Sequence, residues 1–405
     1  MIILHTSDWH LGKRLDEFSR IEEQNEVLQE ICDIADNEKA NVIIIAGDLF
    51  DTFNPPTEAV ELFYKTLKKL SKNGNRAVIA IAGNHDSPER IEAPDPLARE
   101  CGILFAGYPN SVISTLELES GLKVTKSDTG FIEVQLPDIN ESLRIILTPY
   151  ANEFRLKTYI GHENSEAELR VLVEQKWNEL AEKYCDEKGV NILATHLFVV
   201  KKGNLFPEEP DDEKPILHVG GAQAIYSENI PKQIQYVALG HLHRKQTVDT
   251  VPCPILYSGS PISYSFAEAN QKKHVIVINA NAGENVGIKE VELTKGKILL
   301  RKKADNIDDA LVWLNENPNC LVELTIVSDT FLTAKERKLL NNAHHGIVTI
   351  IPEVKNSNEL INSSKSSIDL SKNMESLFTE YFTYKNGQAP NERILNLFNE
   401  VLSEE

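Results

Sequence analysis

The sequence predicts a mixed α/β protein, and three features of its 405 residues support this fold class. The first 86 residues alternate short apolar runs with amphipathic segments in the β-α-β-α-β order of a parallel sheet with helical crossovers. Residues 295–352 repeat this order on a smaller scale. A Ser- and Asn-rich segment then precedes two short amphipathic segments that end the chain, which indicates a tail joined by a linker.

The first strands are short and strongly apolar. Val42–Ile45 is a run of β-branched residues, which predicts a strand buried on both faces, and Gly47 lets the backbone turn before Asp48. We expect Ile2–His5 and Ala77–Ile81 to be strands of the same sheet.

Two amphipathic helices connect these strands. The first is predicted to begin at Ser19, because Glu22 three residues later completes a capping-box pattern. The second is predicted to begin after Thr57 as its cap, with an apolar face that includes Phe63, Leu67 and Leu70.

The sequence of the middle of the chain predicts hairpins, a helix and further strands. Short alternating segments from residue 111 to 147 predict hairpins. A charged amphipathic helix at Glu163–Tyr184 follows, then a strand at Val190–Thr195, a polar loop at 201–216 and a strand at Ile234–Leu239.

The last 111 residues suggest three further parts after a main domain at 1–294. They are a small α/β domain at 295–352, a flexible linker at 353–373 and a helix pair at 374–405. The apolar stripes of the helix pair cannot bury themselves fully in each other. They either fold back on the main body or dock on a partner, and the sequence leaves both open.

Composition excludes several classes of protein. The formal net charge of −19 argues against a protein that coats nucleic acid nonspecifically, although bound metal ions reverse the field locally. No apolar run reaches the roughly 18 residues of a membrane span, and the N-terminus lacks the basic region of a signal peptide. Five scattered cysteines without CxxC spacing are typical of reduced thiols. We therefore expect a cytoplasmic protein without membrane association.

Polar clusters follow five of the predicted strands at their carboxyl ends. Because the carboxyl ends of parallel strands meet at one edge of a sheet, these side chains are expected to converge. The clusters are Asp8-Trp9-His10, Gly47-Asp48, Gly83-Asn84-His85-Asp86, Thr195-His196 and Gly240-His241-Leu242-His243. Each cluster alone is common at a strand end, but five in this order indicate a metal centre.

The candidate ligands offer nitrogen and oxygen donors without sulfur. They are Asp8, His10, Asp48, Asn84, His196, His241 and His243. This set suffices for two divalent ions that share one carboxylate, and mixed imidazole and carboxylate donors favour manganese, iron or zinc over calcium. Two ions about 4 Å apart promote in-line displacement at phosphorus. His85 is then the spare imidazole, expected either to protonate the leaving group or to stabilise the charged transition state, and Asp86 is expected to fix its tautomer.

This ordered set resembles the calcineurin-like metallophosphoesterase superfamily. Within it, the stretches SDWHLGK, AGDLFD and ALGHLHRKQ are similar to the SbcD-type nuclease subunits of bacterial repair complexes, and the resemblance covers the whole chain. It implies a metallophosphoesterase β-sandwich core with flanking helices at 1–294, a small α/β capping domain at 295–352 and a C-terminal helical tail.

The resemblance also implies roles for individual residues and for partners. One metal would be held by Asp8, His10, Asp48 and His243, and the other by Asp48, Asn84, His196 and His241, with His85 as the catalytic histidine. The implied cofactor is manganese, two ions per chain, and the implied substrate is DNA, cut from double-stranded ends or at single strands and hairpins. An SbcC-type coiled-coil ATPase would bind the tail, and the chain would form a homodimer. No role carries over to Asp51, since relatives often have histidine there.

Other functions remain open on the same core. A phosphatase or cyclic-nucleotide phosphodiesterase would use the same ligands, and a scaffold that has lost its metals would need only the tail. Six basic residues flank the ligand loops and are expected to form a rim that steers phosphate: Lys13, Arg14, Lys201, Lys202, Arg244 and Lys245.

Overall fold

The computed structural model describes residues 1–156, 165–203, 224–328, 332–354, 374–386, 390, 394–395 and 398. Most of the predicted loop 201–216 and of the predicted linker 353–373 lies outside the described residues, as does much of the second tail helix. The chain divides into two compact units, Met1–Leu300 with Asn319–Leu321, and Arg301–Pro318 with Val322–Glu405.

A six-stranded sheet forms the first layer of the larger unit. Its strands, in spatial order, are Gly287–Leu293, Lys273–Asn279, Ile2–Thr6, Val42–Ala46, Ala77–Ile81 and Ile103–Ala106. The last four are mutually parallel, Lys273–Asn279 pairs antiparallel with Ile2–Thr6, and Gly287–Leu293 pairs antiparallel with Lys273–Asn279. The predicted parallel arrangement of the N-terminal strands is therefore confirmed.

An eight-stranded mixed sheet forms the second layer. Its order is Gln246–Asp249, Ile255–Tyr257, Tyr236–Leu239, Val190–Thr195, Leu143–Thr148, Phe131–Gln135, Lys123–Asp128 and Leu116–Glu117. The four strands from Ile255–Tyr257 to Leu143–Thr148 are parallel, and the last three form the hairpins predicted for residues 111–147.

The two sheets pack face to face around an apolar core. Val42 and Ile44 belong to this inter-sheet core, whereas Ile43 and Ile45 point to the opposite face and pack with helices. All four are fully buried, which is the two-faced burial that the β-branched run predicts. The predicted β-sandwich class is confirmed.

Helices cover the outer faces of both sheets. Ile21–Asn37 and Thr57–Ser71 cover the six-stranded sheet, and Ser165–Tyr184 covers the eight-stranded sheet. Short helical segments lie at Pro88–Glu92, Asp95–Ala98, Lys72–Gly74, Arg99–Cys101, Glu153–Leu156, Ser227–Asn229 and Phe266–Glu268. Two-residue strand pairs join Arg14–Leu15 to Phe18–Ser19 and Val199–Val200 to Ile225–Tyr226.

Both predicted helix caps are wrong. Ser19 lies in a strand pair with Arg14, so the helix begins after Arg20, and no side chain caps it. Arg20 instead forms an ion pair with Glu23 inside the first turn. Pro56, not Thr57, occupies the cap position of the second helix, and no side-chain hydrogen bond caps it.

The smaller unit has the predicted alternation of strands and helices. Most of a three-stranded sheet belongs to it, with strands Ile298–Ala304, Cys320–Ser328 and Ile347–Val354, together with helices Ile307–Glu316 and Ala334–Ala343. Farther along, helix Met374–Asn386 carries Phe378, whose ring stacks on Phe398 with centroids 4.0 Å apart. Within the described ranges, no helix has both the length and the apolar character needed to cross a bilayer.

Candidate metal centre

Two loops at the carboxyl edge of the six-stranded sheet hold ligands on strained backbone. Asp8, His10 and Asp48 have φ of 54°, 41° and 48°, in the left-handed region that costs a non-glycine residue about 1–3 kcal/mol. The loops bind each other, because the Asp8 N–H donates to Gly47 O at 3.0 Å and the His10 N–H donates to Asp48 O at 2.9 Å. This pairing fixes the three side chains beside one another.

Glycines allow the loops of the two sheets to approach closely. A Cβ on Gly47 would lie 2.1 Å from His196 Nδ1, and one on Gly240 would lie 1.8 Å from Ala46 O. Both distances are too short for any side chain. The two glycines therefore permit the contact that brings His196 and His241 to the carboxylates.

The first candidate metal position lies between Asp8, His10, Asp48 and His243. His10 Nε2 is 2.9 Å from His243 Nε2 and 3.4 Å from Asp48 Oδ2. Ligand atoms of Asp8, His10 and His243 all lie within 4.8 Å of one another. Two imidazole nitrogens that face each other beside carboxylates form a donor set suited to a cation.

The second candidate position lies between Asp48, Asn84, His196 and His241. His196 Nε2 is 3.2 Å from Asp48 Oδ2 and 3.1 Å from Asn84 Oδ1, and His241 Nδ1 is 3.0 Å from the same amide oxygen. Because Asp48 Oδ2 faces both His10 and His196, Asp48 occupies the position of a bridging carboxylate.

These residues fit divalent cations. His241 Nε2 is buried without a hydrogen-bond partner among the described residues, and such an atom costs about 1–3 kcal/mol unless something else satisfies it. Asp8, His10, Asp48 and His196 are at most 2% exposed. A cation would compensate both the orphaned nitrogen and the buried carboxylates.

Burial and mutual charge shift the titration of this cluster. Burial acts to raise the pKa of Asp48, but His196 and His10 outweigh it and hold that pKa well below its usual range. Burial likewise opposes protonation of His196, yet Asp48 raises its pKa to about 9. Burial, followed by the charge of His196, lowers the pKa of His241 to about 3, which keeps that ring neutral and able to bind a metal.

His85 lies at the rim of the centre and is oriented differently from expectation. Its Nδ1 is 2.8 Å from Asp51 O, and its backbone N–H donates to Asp48 Oδ1 at 2.9 Å. The expected contact with Asp86 is wrong, because the turn directs the Asp86 carboxylate away from the ring. That carboxylate accepts from the backbone N–H groups of Gly83, Leu49 and Phe50 at 2.8–3.0 Å.

Asp86 therefore ties two ligand loops together. Its pKa rises to about 6 because of burial and, secondarily, the charge of Asp48.

The comparison with known families decides the assignment. The profile of the Metallophos family, described as calcineurin-like phosphoesterase, matches residues 1–245. The chain belongs to this family. It is 36% identical over 412 residues to the SbcD subunit of the nuclease SbcCD from Bacillus subtilis, covering 100% of this chain and 98% of that protein.

Two further relatives carry the same name. The protein of Rhodobacter capsulatus is 30% identical over 70% of this chain and 67% of its own length. The protein of Staphylococcus epidermidis is 28% identical over 81% of this chain and 80% of its own length. Membership in the calcineurin-like phosphoesterase family and the donor set together support divalent metal ions as the cofactor.

The basic rim of this calcineurin-like phosphoesterase is largely paired. Lys13 lies 3.0 Å from Asp51, Lys201 lies 3.1 Å from Asp249, and Lys245 pairs with Glu290. Lys202 lies 3.7 Å from Glu228, the Arg14 guanidinium donates to Glu17 O, and Arg244 is exposed. The lysines are thus less free to steer phosphate than the sequence suggests.

Two buried residues that support the site carry no recognisable sequence signal. Arg155 donates to Gly83 O at 2.7 Å and to Asp86 O at 2.8 Å, so it holds the loop that carries Asn84 and His85. Glu268 accepts from His243 at 3.3 Å. Only their positions in the folded chain indicate these roles.

Proposed function

We propose that this chain is the two-metal-dependent nuclease subunit of an SbcCD-type complex. In this function it degrades double-stranded DNA from ends, cuts single strands and hairpins, and acts with an SbcC-type coiled-coil ATPase in DNA repair, recombination and replication. The observation that carries the two-metal chemistry is the position of Asp48 Oδ2, which faces His10 and His196 at 3.4 and 3.2 Å. Similarity over the whole chain to a protein named as part of a nuclease supports DNA as the substrate.

In cleavage of a phosphodiester, one group of residues would bind the metal ions and another residue would supply a proton. Asp8, His10, Asp48 and His243 would hold one Mn²⁺, and Asp48, Asn84, His196 and His241 would hold the other. Two such ions, when bound, would lower the pKa of a water molecule and neutralise charge on the phosphate oxygens. His85 donates through Nδ1 to Asp51 O, so in the imidazolium form of the ring the proton on Nε2 is the one available to the leaving oxygen, and the transfer leaves a neutral ring.

Cleavage of defined substrates tests this function. With Mn²⁺, the full chain should degrade end-labelled duplex DNA and open DNA hairpins, and His85→Ala should lower the rate by about 10²–10⁴-fold, the usual contribution of a general acid. Mn²⁺ binding by calorimetry should stay unchanged in this variant, because His85 is not a proposed ligand.

Two outcomes would contradict the proposal. Turnover of only nucleoside monophosphates or cyclic nucleotides would favour the phosphatase or phosphodiesterase alternative. Cleavage of DNA at the original rate by His85→Ala would remove the proposed role of the histidine.

The domain plan is also a proposal: a nuclease domain at 1–294, a capping domain at 295–352, a linker at 353–373 and a partner-binding helix pair at 374–405. The stacking of Phe378 on Phe398 supports a helix pair that acts as one element. We further propose a homodimer in the cytoplasm, and the lack of any disulfide among the five described cysteines suits a reducing compartment.

Deletion of residues 374–405 tests the tail. The truncated chain should lose association with the coiled-coil ATPase in size-exclusion chromatography but keep Mn²⁺ binding and hairpin cleavage. A large fall in the melting temperature of the nuclease domain would instead favour a tail that folds back on the body.

A further inference from the structure

A buried ion pair lies directly behind one of the proposed ligands. Glu268, which is 2% exposed, places Oε1 at 3.3 Å from His243 Nδ1, on the opposite side of the ring from the nitrogen that faces His10. The same oxygen accepts from the Tyr264 N–H at 3.0 Å. Its second oxygen accepts from Ser260 Oγ at 3.2 Å and from the ammonium of Lys273. These contacts fix the position of the carboxylate, with one of its oxygens facing His243 Nδ1.

Lys273 holds both ends of this arrangement. Its Nζ donates to Ser260 Oγ at 2.9 Å and to the carbonyl oxygen of His243 itself at 3.1 Å, besides its ion pair with Glu268. Lys273 is 8% exposed, so the pair is almost removed from water. A buried carboxylate without a partner is strongly destabilising, and Lys273 removes that penalty while it fixes the backbone of His243.

We propose that Glu268 and Lys273 are a positioning pair that selects the tautomer of His243 and makes its metal position the tighter of the two. A carboxylate at Nδ1 holds the proton there and leaves the lone pair on Nε2, the nitrogen that faces His10. The negative charge also makes the ring a stronger donor to a cation. This inference rests on the proposed metal centre, because it assigns His243 a ligand role.

The other metal position has a different kind of support. Behind His196, Nδ1 faces the neutral carbonyl of Ala46 at 2.7 Å. Neutral oxygens orient a ring but add no full charge. The centre is therefore asymmetric, and the first Mn²⁺ to bind should occupy the position of Asp8, His10 and His243.

Calorimetric titration of the metal-free full chain with Mn²⁺ tests the asymmetry. The wild type should show two binding steps, and Glu268→Gln should weaken the tighter step by about 10–100-fold, as loss of a partner behind a ligand does. The weaker step should be unchanged. His243→Ala should abolish the same step, which assigns it to this position.

A matched control separates positioning from general stability. Glu133 is another buried carboxylate, 6% exposed, and it pairs with Arg144 at 3.0 Å on the eight-stranded sheet. Glu133→Gln makes the same chemical change away from the ligands and should leave both steps as in the wild type. Thermal unfolding of the metal-free proteins measures how much each substitution lowers the stability of the folded chain.

If Glu268→Gln does not fold because Lys273 is left buried and unpaired, the double variant Glu268→Gln with Lys273→Met removes both charges. It should fold and still lose affinity at the tighter step. Unchanged affinity at both steps in the folded variant, or equal losses at both, would overturn the positioning role. A wild type that binds no Mn²⁺ would overturn the metal centre itself.

Discussion

The two sheets of the sandwich contribute different chemistry to the same centre. Loops of the six-stranded sheet bring both carboxylates, the amide and one imidazole, whereas loops of the eight-stranded sheet bring imidazoles alone. The first group is Asp8, His10, Asp48 and Asn84, and the second is His196, His241 and His243. The ligand carboxylates therefore come from one layer and most of the imidazole donors from the other.

The backbones of the two groups differ as well. Asp8, His10 and Asp48 sit in left-handed conformations that hydrogen bonds between their own loops maintain. His241, in the second group, has φ of 108°, and its N–H donates to Asp8 Oδ1 at 2.9 Å. A carboxylate of the first layer thus holds a strained ligand of the second, so the centre forms only when both layers pack in register.

Asp48→Asn should have the largest effect on this arrangement. The amide has no negative charge to share between His10 and His196, so both proposed metal positions lose their common ligand. We expect Mn²⁺ affinity at both steps to fall by more than the roughly 10–100-fold of an outer-shell change, and DNA cleavage to fall to background. Calorimetry and cleavage of end-labelled duplex measure the two effects.

Asp8→Asn is the comparison that sharpens this result. Its ligand atoms group with His10 and His243, and its carboxylate also holds the His241 N–H. An amide oxygen still accepts from that N–H, so the main loss should fall on one metal step. If Asp8→Asn and Asp48→Asn weaken both steps equally, the bridging role of Asp48 is wrong.

Much of this centre could be predicted because its ligands follow strands. The apolar run before Asp48 identifies a buried strand, and parallel strands bring their carboxyl ends to one edge. The same reasoning applies to His196 and His241, since each follows a strand of the second sheet. A sequence pattern that identifies parallel strands therefore also predicts that the residues directly after those strands lie close together.

The residues that position the proposed ligands could not be predicted in this way. Glu268 and Lys273 lie 25 and 30 residues after His243, on a 3₁₀ turn and at a strand start, where charged residues are usually solvated. Asp86 shows the opposite error, because its adjacency to His85 suggested a contact that the turn prevents. Side-chain direction in a tight turn depends on backbone angles that spacing does not reveal.

Substitution of Arg155 should have the smallest effect on activity among the changes considered. It is 5% exposed, donates to Gly83 O and Asp86 O, and lies over the ring of Tyr150 at 5.1 Å. Without the guanidinium, the loop that carries Asn84 and His85 has fewer anchors, although Asp86 still holds it. Arg155→Met should lower kcat about tenfold, below the roughly 100-fold that a 1 Å misplacement costs.

Arg144→Met is the matched control for this change. Arg144 is a similarly buried arginine, 8% exposed, on strand Leu143–Thr148 of the eight-stranded sheet, where it pairs with Glu133 and Asp186. Both variants lose stability in thermal unfolding, but only Arg155→Met should lower kcat for hairpin cleavage at saturating Mn²⁺. Equal kcat in the two variants would mean that Arg155 only packs the fold, and that Asp86 alone holds His85 in place.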